Sequence, residues 1–172
     1  MSKYDNIDLE KINAIQLHVE DNSKQMDTIV GEIVERYVKD LDEYVGQIDD
    51  RLCDRENPPT DAELDDFCLN LGTLIYFAGS MSEKLGIRDD IAKAVYKETY
   101  NNARDSSKGT VQDKNTLAEL SAQQEQLVSI AYTRAYKIVK AKVDNAQELM
   151  SSVKKVISRR MQEQQLTQIG GR

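Results

Sequence analysis

The residues of this sequence that are best suited to bind a ligand are the basic ones between positions 134 and 160. This segment holds eight lysines and arginines against Asp144 and Glu148, a local net charge of +6. At about 100° per residue, the basic residues Arg134, Lys137, Lys155 and Arg159 lie on the side of a helix opposite its apolar stripe, and the other four flank that stripe. This group, called the basic ridge below, consists of Arg134, Lys137, Lys140, Lys142, Lys154, Lys155, Arg159 and Arg160. The ridge predicts an anion site, for a phosphate backbone or an acidic protein surface. The alternative, that these residues only solubilise an exposed helix, stays open.

Side chains that could carry catalysis are few. His18 is the single histidine, so a two-histidine metal site cannot form. Cys53 and Cys68 lack CxxC spacing, and each has an aspartate nearby, Asp54 and Asp66, whose charge disfavours a thiolate. The sequence therefore predicts a protein that is not an enzyme.

Motifs for metals and phosphate-bearing cofactors are also lacking. The acidic clusters at 49–56 and 61–66 have no glycine at the turn position of a calcium loop. The fragment 108–110, Lys-Gly-Thr, has neither the preceding glycines nor the strand of a phosphate-binding loop. We expect no metal site, no catalytic site and no cofactor.

The ridge lies on the predicted organising element, a helix over 110–165 that contains no proline or glycine. Its main apolar stripe covers 33 residues in nine steps, a mean of about 3.67, as in a nearly straight helix. The stripe comprises Val128, Tyr132, Ala135, Val139, Val143, Ala146, Met150, Val153, Ile157 and Met161. A second row comprises Leu127, Ala131, Ile138, Leu149 and Val156. Because one partner helix cannot cover both rows, we expect self-association. The predicted oligomer interface is Val139, Val143, Met150, Val153 and Ile157.

Shorter helices are predicted before this one. The first twenty residues fit a helix or a short strand, with helix favoured. Asp21-Asn22-Ser23 is expected to cap a helix over 23–54, which ends before Pro58-Pro59. Capping boxes at Thr60 and Thr110 predict further helix starts. The expected intervening helices are 61–85, ending at Gly86, and 90–104.

The predicted fold class is an extended all-α protein, in which one long C-terminal helix packs against shorter N-terminal helices and the chain oligomerises. Its expected divisions are an acidic helical region over 1–104, a linker and long helix over 105–165, and a disordered tail over 166–172. Residues 1–100 carry a net charge of −12 and residues 101–172 carry +5, out of a total of −7. No apolar run reaches the ~20 residues of a membrane span, and the first ten residues do not form a signal peptide. We therefore expect a cytoplasmic protein with no membrane partner.

Several short motifs resemble one protein family. They are Tyr100-Asn-Asn-Ala-Arg104, Gly109-Thr110-Val111, Asp113-Lys114, Ala118-Glu119-Leu120 and the helix ending Lys154-Lys155-Val-Ile-Ser-Arg159-Arg160. Over about residues 90–161 this pattern is similar to UvsY-type recombination mediators of large tailed phages. The resemblance implies a ring-like homo-oligomer that binds single-stranded DNA and helps to load a recombinase onto strands covered by single-strand-binding protein. A phage protein of this kind would act in the host cytoplasm.

The resemblance also implies which residues contact phosphate. They are Lys137, Lys140, Lys142, Lys154, Lys155, Arg159 and Arg160. Tyr132 and Tyr136 offer faces for base stacking, although Tyr132 also belongs to the apolar stripe. The strongly acidic first hundred residues depart from a plain DNA-binding module. Two other interpretations remain, a helical scaffold or assembly protein that binds no nucleic acid and an acidic inhibitor that mimics DNA.

Overall fold

The protein is all-helical, as its sequence predicts. The computed structural model describes residues 9–170, almost all of which are helical. Within the described part the helices are α1 Leu9–Cys53, α2 Asp61–Ser106, α3 Val111–Ser121 and α4 Gln123–Gly170. None of them combines the length and apolarity needed to cross a membrane.

Three long helices form an up-down-up bundle in which α2 runs antiparallel to α1 and α4. The α2–α4 pair makes the most extensive interface. Its register follows from facing residues, since the Cβ position of Gly72 lies 3.7 Å from the Met150 sulfur and Thr133 donates to Asp89. The core between the three helices is filled by small and medium aliphatic side chains. Its fully buried members include Val38, Ile48, Leu71, Leu85 and Val139.

Capping boxes start α2 and α3 at the predicted residues. The Thr60 hydroxyl accepts from the Glu63 N–H at 3.2 Å, and the Glu63 carboxylate accepts from the Thr60 N–H at 2.7 Å. Thr110 and Asp113 repeat the arrangement. Each box satisfies donors that a helix start leaves unpaired.

The predicted boundaries within the first hundred residues are wrong in two places. Asp21, Asn22 and Ser23 lie inside α1, so they do not cap it, and the ambiguous early segment is helical from Leu9 onward. Gly86 does not end a helix, because α2 continues through it to Ser106. A glycine costs only about 1 kcal/mol in a helix interior, and here it makes room for a ring, since a Cβ on Gly86 would lie 3.2 Å from Tyr136 Cε2.

The single long C-terminal helix predicted over 110–165 is divided in the structure. Ala122 leaves helical geometry at φ −103°, ψ 11°, which separates α3 from α4. Ala118 and Ala122 are fully buried, and α3 packs on α2 without contacting α1. At its other end α4 continues through 166–170, part of the predicted disordered tail. Gly171 and Arg172 lie outside the described residues.

The predicted oligomer interface is covered by the chain's own helices. Val139 and Val143 are buried in the core between α1, α2 and α4, and Val153 is also buried. Met150 and Ile157 are half-buried. The reason is that α1 and α2 are each as long as α4, so together they cover an apolar stripe that shorter helices would leave open. In this arrangement these five residues are not a surface for a second copy. Self-association itself remains a prediction and needs a different surface.

Candidate nucleic-acid interface

The basic ridge lies on the side of α4 that faces away from the core. Val139 and Val153 point inward, whereas Lys137 and Lys155 lie about 160° from them around the helix. Five cations of the ridge are exposed and form no ion pair within 4 Å among the described residues. They are Arg134, Lys137, Lys140, Lys154 and Lys155.

Two predicted phosphate contacts instead hold the bundle together. Lys142 donates to both carboxylate oxygens of Asp42 on α1 at 2.8 Å. Arg160 donates to the Pro59 carbonyl at 2.7 Å and to Asp61 at 3.0 Å, which fastens α4 to the α1–α2 loop. Lys142 thus joins α4 to α1, and Arg160 joins α4 to the loop and to the start of α2. Their charges are already matched within the chain.

Arg159 is intermediate between the unpaired cations and those that pair with another helix or with the loop, because it forms an exposed ion pair within α4. Its Nε donates to Glu163 at 2.9 Å, one helical turn further along α4. Both side chains are mostly exposed, so the pair is worth little and an incoming phosphate can compete for the arginine.

Two acidic residues divide the ridge. Asp144 and Glu148 lie on the same exposed side of α4, between a proximal cluster of Arg134, Lys137 and Lys140 and a distal one of Lys154, Lys155 and Arg159. At 1.5 Å per residue, Lys137 and Lys155 are about 27 Å apart along the helix. The geometry suits a long polyanion that crosses two positive patches better than a single small anion.

The proximal cluster lies beside a buried carboxylate that sequence reasoning missed. Asp89 is only 4% exposed and accepts from Thr133 at 2.6 Å and from Lys93 at 2.7 Å. Burial acts to raise the pKa of Asp89, but these hydrogen bonds and the nearby charge of Lys137 outweigh it and lower the pKa. The carboxylate therefore stays charged. In the sequence, the polar Thr133 beside the apolar stripe of α4 was a sign that a buried polar partner lies nearby. That partner, Asp89, could be identified only once α2 was seen to continue past Gly86.

The two tyrosines proposed for base stacking point inward. Tyr136 packs on Gly86 of α2, and Tyr132 lines a groove between α2 and α4. Neither ring lies on the exposed side with the unpaired cations. The structure therefore does not bring them together with the ridge.

The groove is a second feature that the sequence did not reveal. It has a volume of about 540 Å³ and is lined mainly by apolar side chains, among them Ile91, Val95 and Val128. Val128 begins the main stripe of α4 and is 51% exposed there, because no helix covers the stripe at this end. Glu125 lines the groove as well, and its Oε2 is buried without a hydrogen-bond partner.

The residues considered for catalysis are far apart in the fold. His18 is exposed on α1 and hydrogen-bonds Asn22 at 3.1 Å. Cys53 is exposed at the end of α1, and Cys68 is half-buried on α2. Burial raises the pKa of the Cys68 thiol, and Asp65 adds to this while Lys154 opposes it. Among the described residues, no three His, Cys, Asp or Glu side chains are placed to hold a metal ion.

Comparison with known proteins gives no relative for this chain. No family model, no curated protein and no solved structure matches it.

Proposed function

We propose that this protein is a non-enzymatic accessory protein that binds single-stranded DNA along the outer side of α4. One observation carries the proposal. In a chain with 30 acidic residues and a net charge of −7, five ridge cations are exposed and form no ion pair with any residue in the part of the chain that the structure describes. Acidic side chains pair with Lys142 and Arg160, whereas these five cations have no carboxylate within 4 Å among the described residues, although Asp144 and Glu148 lie between the two clusters.

Single-stranded DNA fits this surface better than a duplex would. The cations follow one exposed helix face, and a flexible strand can bend to reach both clusters past Asp144 and Glu148. Electrostatic contact of this kind carries no base information, so we expect binding that tolerates sequence. The rest of the acidic surface would repel a rigid duplex lying across the bundle.

Loading a recombinase onto DNA covered by single-strand-binding protein is the specific role we propose for this binding. The support for that role is the resemblance of residues 90–161 to UvsY-type mediators. A mediator must hold the strand weakly enough to release it, which agrees with a surface of few cations interrupted by carboxylates.

The experiment is a titration of fluorescent single-stranded DNA against the full chain over a range of salt concentrations. With five phosphate contacts, log affinity should fall with log salt at a slope of about −3.5 on single strands. Replacing Arg134, Lys137 and Lys140 by Ala should flatten the slope by about 2 units.

The matched control removes the same charge elsewhere, by replacing Lys24, Lys39 and Lys108, all exposed, with Ala. This variant should keep the slope of the original chain. Absence of binding at low salt, where the electrostatic attraction is greatest, would overturn the proposal. An equal loss in both triple variants would show a response to net charge alone and would also contradict it.

A helical assembly protein without nucleic-acid binding is the second candidate. It is favoured by apolar side chains that stand exposed on α2, including Leu69, Tyr76 and Phe77. The titration separates the two, because an assembly protein needs no salt-dependent affinity for DNA.

A further inference from the structure

The side of α2 that faces away from the core carries a row of uncharged residues. Six exposed residues follow one another within about 60° around the helix, and the exposed Glu83 and Lys84 lie about 20° beyond its two edges. This set, the α2 outer row, is Leu69, Thr73, Tyr76, Ser80, Ile87 and Ile91. Ile91, at the end of the row, also lines the groove between α2 and α4. Leu69 and Tyr76 are 70% and 75% exposed, and Ile87 and Ile91 are 60% and 56% exposed. On a solvated helix this side normally carries the charges.

The row is large enough to be an interaction surface. From Leu69 to Ile91 it is about 33 Å long and roughly one helix diameter wide, a few hundred Å². Apolar patches of that size on soluble proteins mark contact sites more often than chance exposure.

The spacing of the row is nearly symmetric about Ser80. Leu69 and Ile91 lie eleven residues before and after it, and Thr73 and Ile87 lie seven before and after it. If two copies of α2 pair in opposite directions with Ser80 at the crossing, Leu69 meets Ile91 and Thr73 meets Ile87. Tyr76 meets Lys84 of the second copy, a cation that can pack on the tyrosine ring. A two-fold dimer uses the same patch on both subunits, so the patch must match itself in this way.

Small residues occupy the centre of the row, where two helices would cross. Gly79 adjoins Ser80, and a Cβ on Gly79 would meet nothing within 4 Å. A crossing over glycine and serine lets two backbones approach closely, while the larger side chains on either side interlock.

Charge along α2 favours the same antiparallel pairing. Residues 61–83 contain five acidic and no basic residues, whereas residues 84–106 contain five basic and four acidic ones. Opposed directions bring each acidic half near the other copy's lysines and arginines. Asp65 and Lys97 lie on the same edge of the row, fifteen residues before and seventeen residues after Ser80, and neither forms an ion pair among the described residues.

We propose that the α2 outer row is the dimerisation surface of this protein, which packs antiparallel on the same row of a second copy around Ser80. The two contacts between Asp65 and Lys97 of the second copy flank the apolar seam. The surface is separate from the basic ridge, so each copy keeps its ridge exposed. Because the area is at the lower end for specific interfaces, we expect a weak dimer, with a dissociation constant on the order of micromolar.

Sedimentation equilibrium of the full chain tests the surface. The original chain should reach twice its mass of 19.5 kDa at tens of micromolar. Replacing Ser80 by Arg or Ile87 by Glu should give a monomer, because each puts an unpaired charge into the seam while changing an exposed side chain that the fold does not need.

Val111→Glu is the matched control, since Val111 is 77% exposed on α3, outside the row, and this variant should remain a dimer. A chain that stays monomeric at every concentration would overturn the proposal. So would a dimer that survives both Ser80→Arg and Ile87→Glu.

Cross-linking tests the direction. With Cys53 and Cys68 replaced by Ser, Leu69→Cys and Ile91→Cys chains mixed together should form a disulfide-linked heterodimer, while neither variant links to itself. Parallel pairing predicts the reverse result and would contradict the inference. Asp65→Lys should weaken the dimer about tenfold, and adding Lys97→Asp should restore it.

Discussion

Individual residues on either side of the α1–α2 loop form a dense set of polar contacts. Arg51 donates to both oxygens of Glu63 at 3.0 and 3.2 Å, and Glu63 also accepts from the Thr60 N–H and hydroxyl. These hydrogen bonds, the one from Arg51 first and those from Thr60 next, lower the pKa of Glu63 from 4.5 to about 2. The sequence predicted the Thr60–Glu63 box from its spacing, but Arg51 is twelve residues away and its part depends on the loop geometry.

The first prediction concerns acid stability at Glu63. A lowered folded pKa means that the ionised carboxyl stabilises the fold above pH 4.5 and that this contribution is lost as the pH falls from 4.5 towards 2. The Glu63→Gln variant, which cannot ionise, should therefore be less stable than the original chain at pH 7, with a smaller difference at pH 2.5. Urea unfolding at both pH values measures this.

Glu119→Gln is the control for that experiment, because it removes a carboxyl that is exposed and forms no ion pair within the described chain. Its stability difference from the original chain should change little between the two pH values. A Glu63→Gln difference that stays constant with pH would contradict the role given to the carboxylate.

At the scale of the helices, the sequence predicted type and composition better than length. Proline at 58–59 and the two capping boxes end and start helices where expected, because these are local chemical constraints. Gly86 and Asp21 misled the prediction, since their local preferences are outweighed by packing along helices of more than forty residues. The break at Ala122 has no local signal, because it follows from burial of α3 against α2.

For the basic ridge as well, the sequence predicted local features but not the contacts made by packing. Helical spacing predicted Arg134, Lys137, Lys155 and Arg159 opposite the apolar stripe of α4, and all four are exposed in the structure. Lys142 has the same residue type and lies on the same helix, yet it pairs with Asp42, one hundred residues away. Whether a lysine of α4 is free to bind an anion or already paired with a carboxylate of α1 depends on how α1 packs beside α4.

The second prediction tests the close approach of α2 and α4 at Gly86. Gly86→Leu should destabilise the fold by about 1 to 3 kcal/mol, because the new side chain displaces the Tyr136 ring. Gly46→Leu, on an exposed side of α1 with nothing within 4 Å of the Cβ position, should instead be neutral or stabilising by up to about 1 kcal/mol. Thermal unfolding of both variants gives the comparison. Equal effects at the two glycines would mean that Tyr136 moves aside without cost.

The molecule as a whole is unevenly packed along its length. In the middle, three helices share the core, from Val30 to Ile48 on α1 and from Ala131 to Ala146 on α4. At the end occupied by α3, the bundle is reduced to α2 with α3 and α4, since α1 does not contact α3. Ile15, Leu17 and Val19 of α1 are each about 60% exposed there, next to a bundle end whose groove is also uncovered. Apolar side chains also stand exposed on the α2 outer row and along α4, where Ile138 and Val156 of the second apolar row are about 40% exposed.

The third prediction follows from that uneven packing. Backbone amides of α1 before Met26 should exchange with deuterium far faster than those from Val30 to Ile48, because exposed helix turns open locally while the core opens only with global unfolding. Exchange followed by mass spectrometry on peptic fragments would measure both segments in one chain. The internal reference is Leu71–Leu85 of α2, fully buried at both ends, which should match the slow segment.

Uniform protection along the whole of α1 would show that its first turns are covered in solution. If Ser80→Arg abolished that protection together with dimer formation, the covering element would be the second copy; if protection persisted in that monomer, the first turns of α1 would fold back on their own chain.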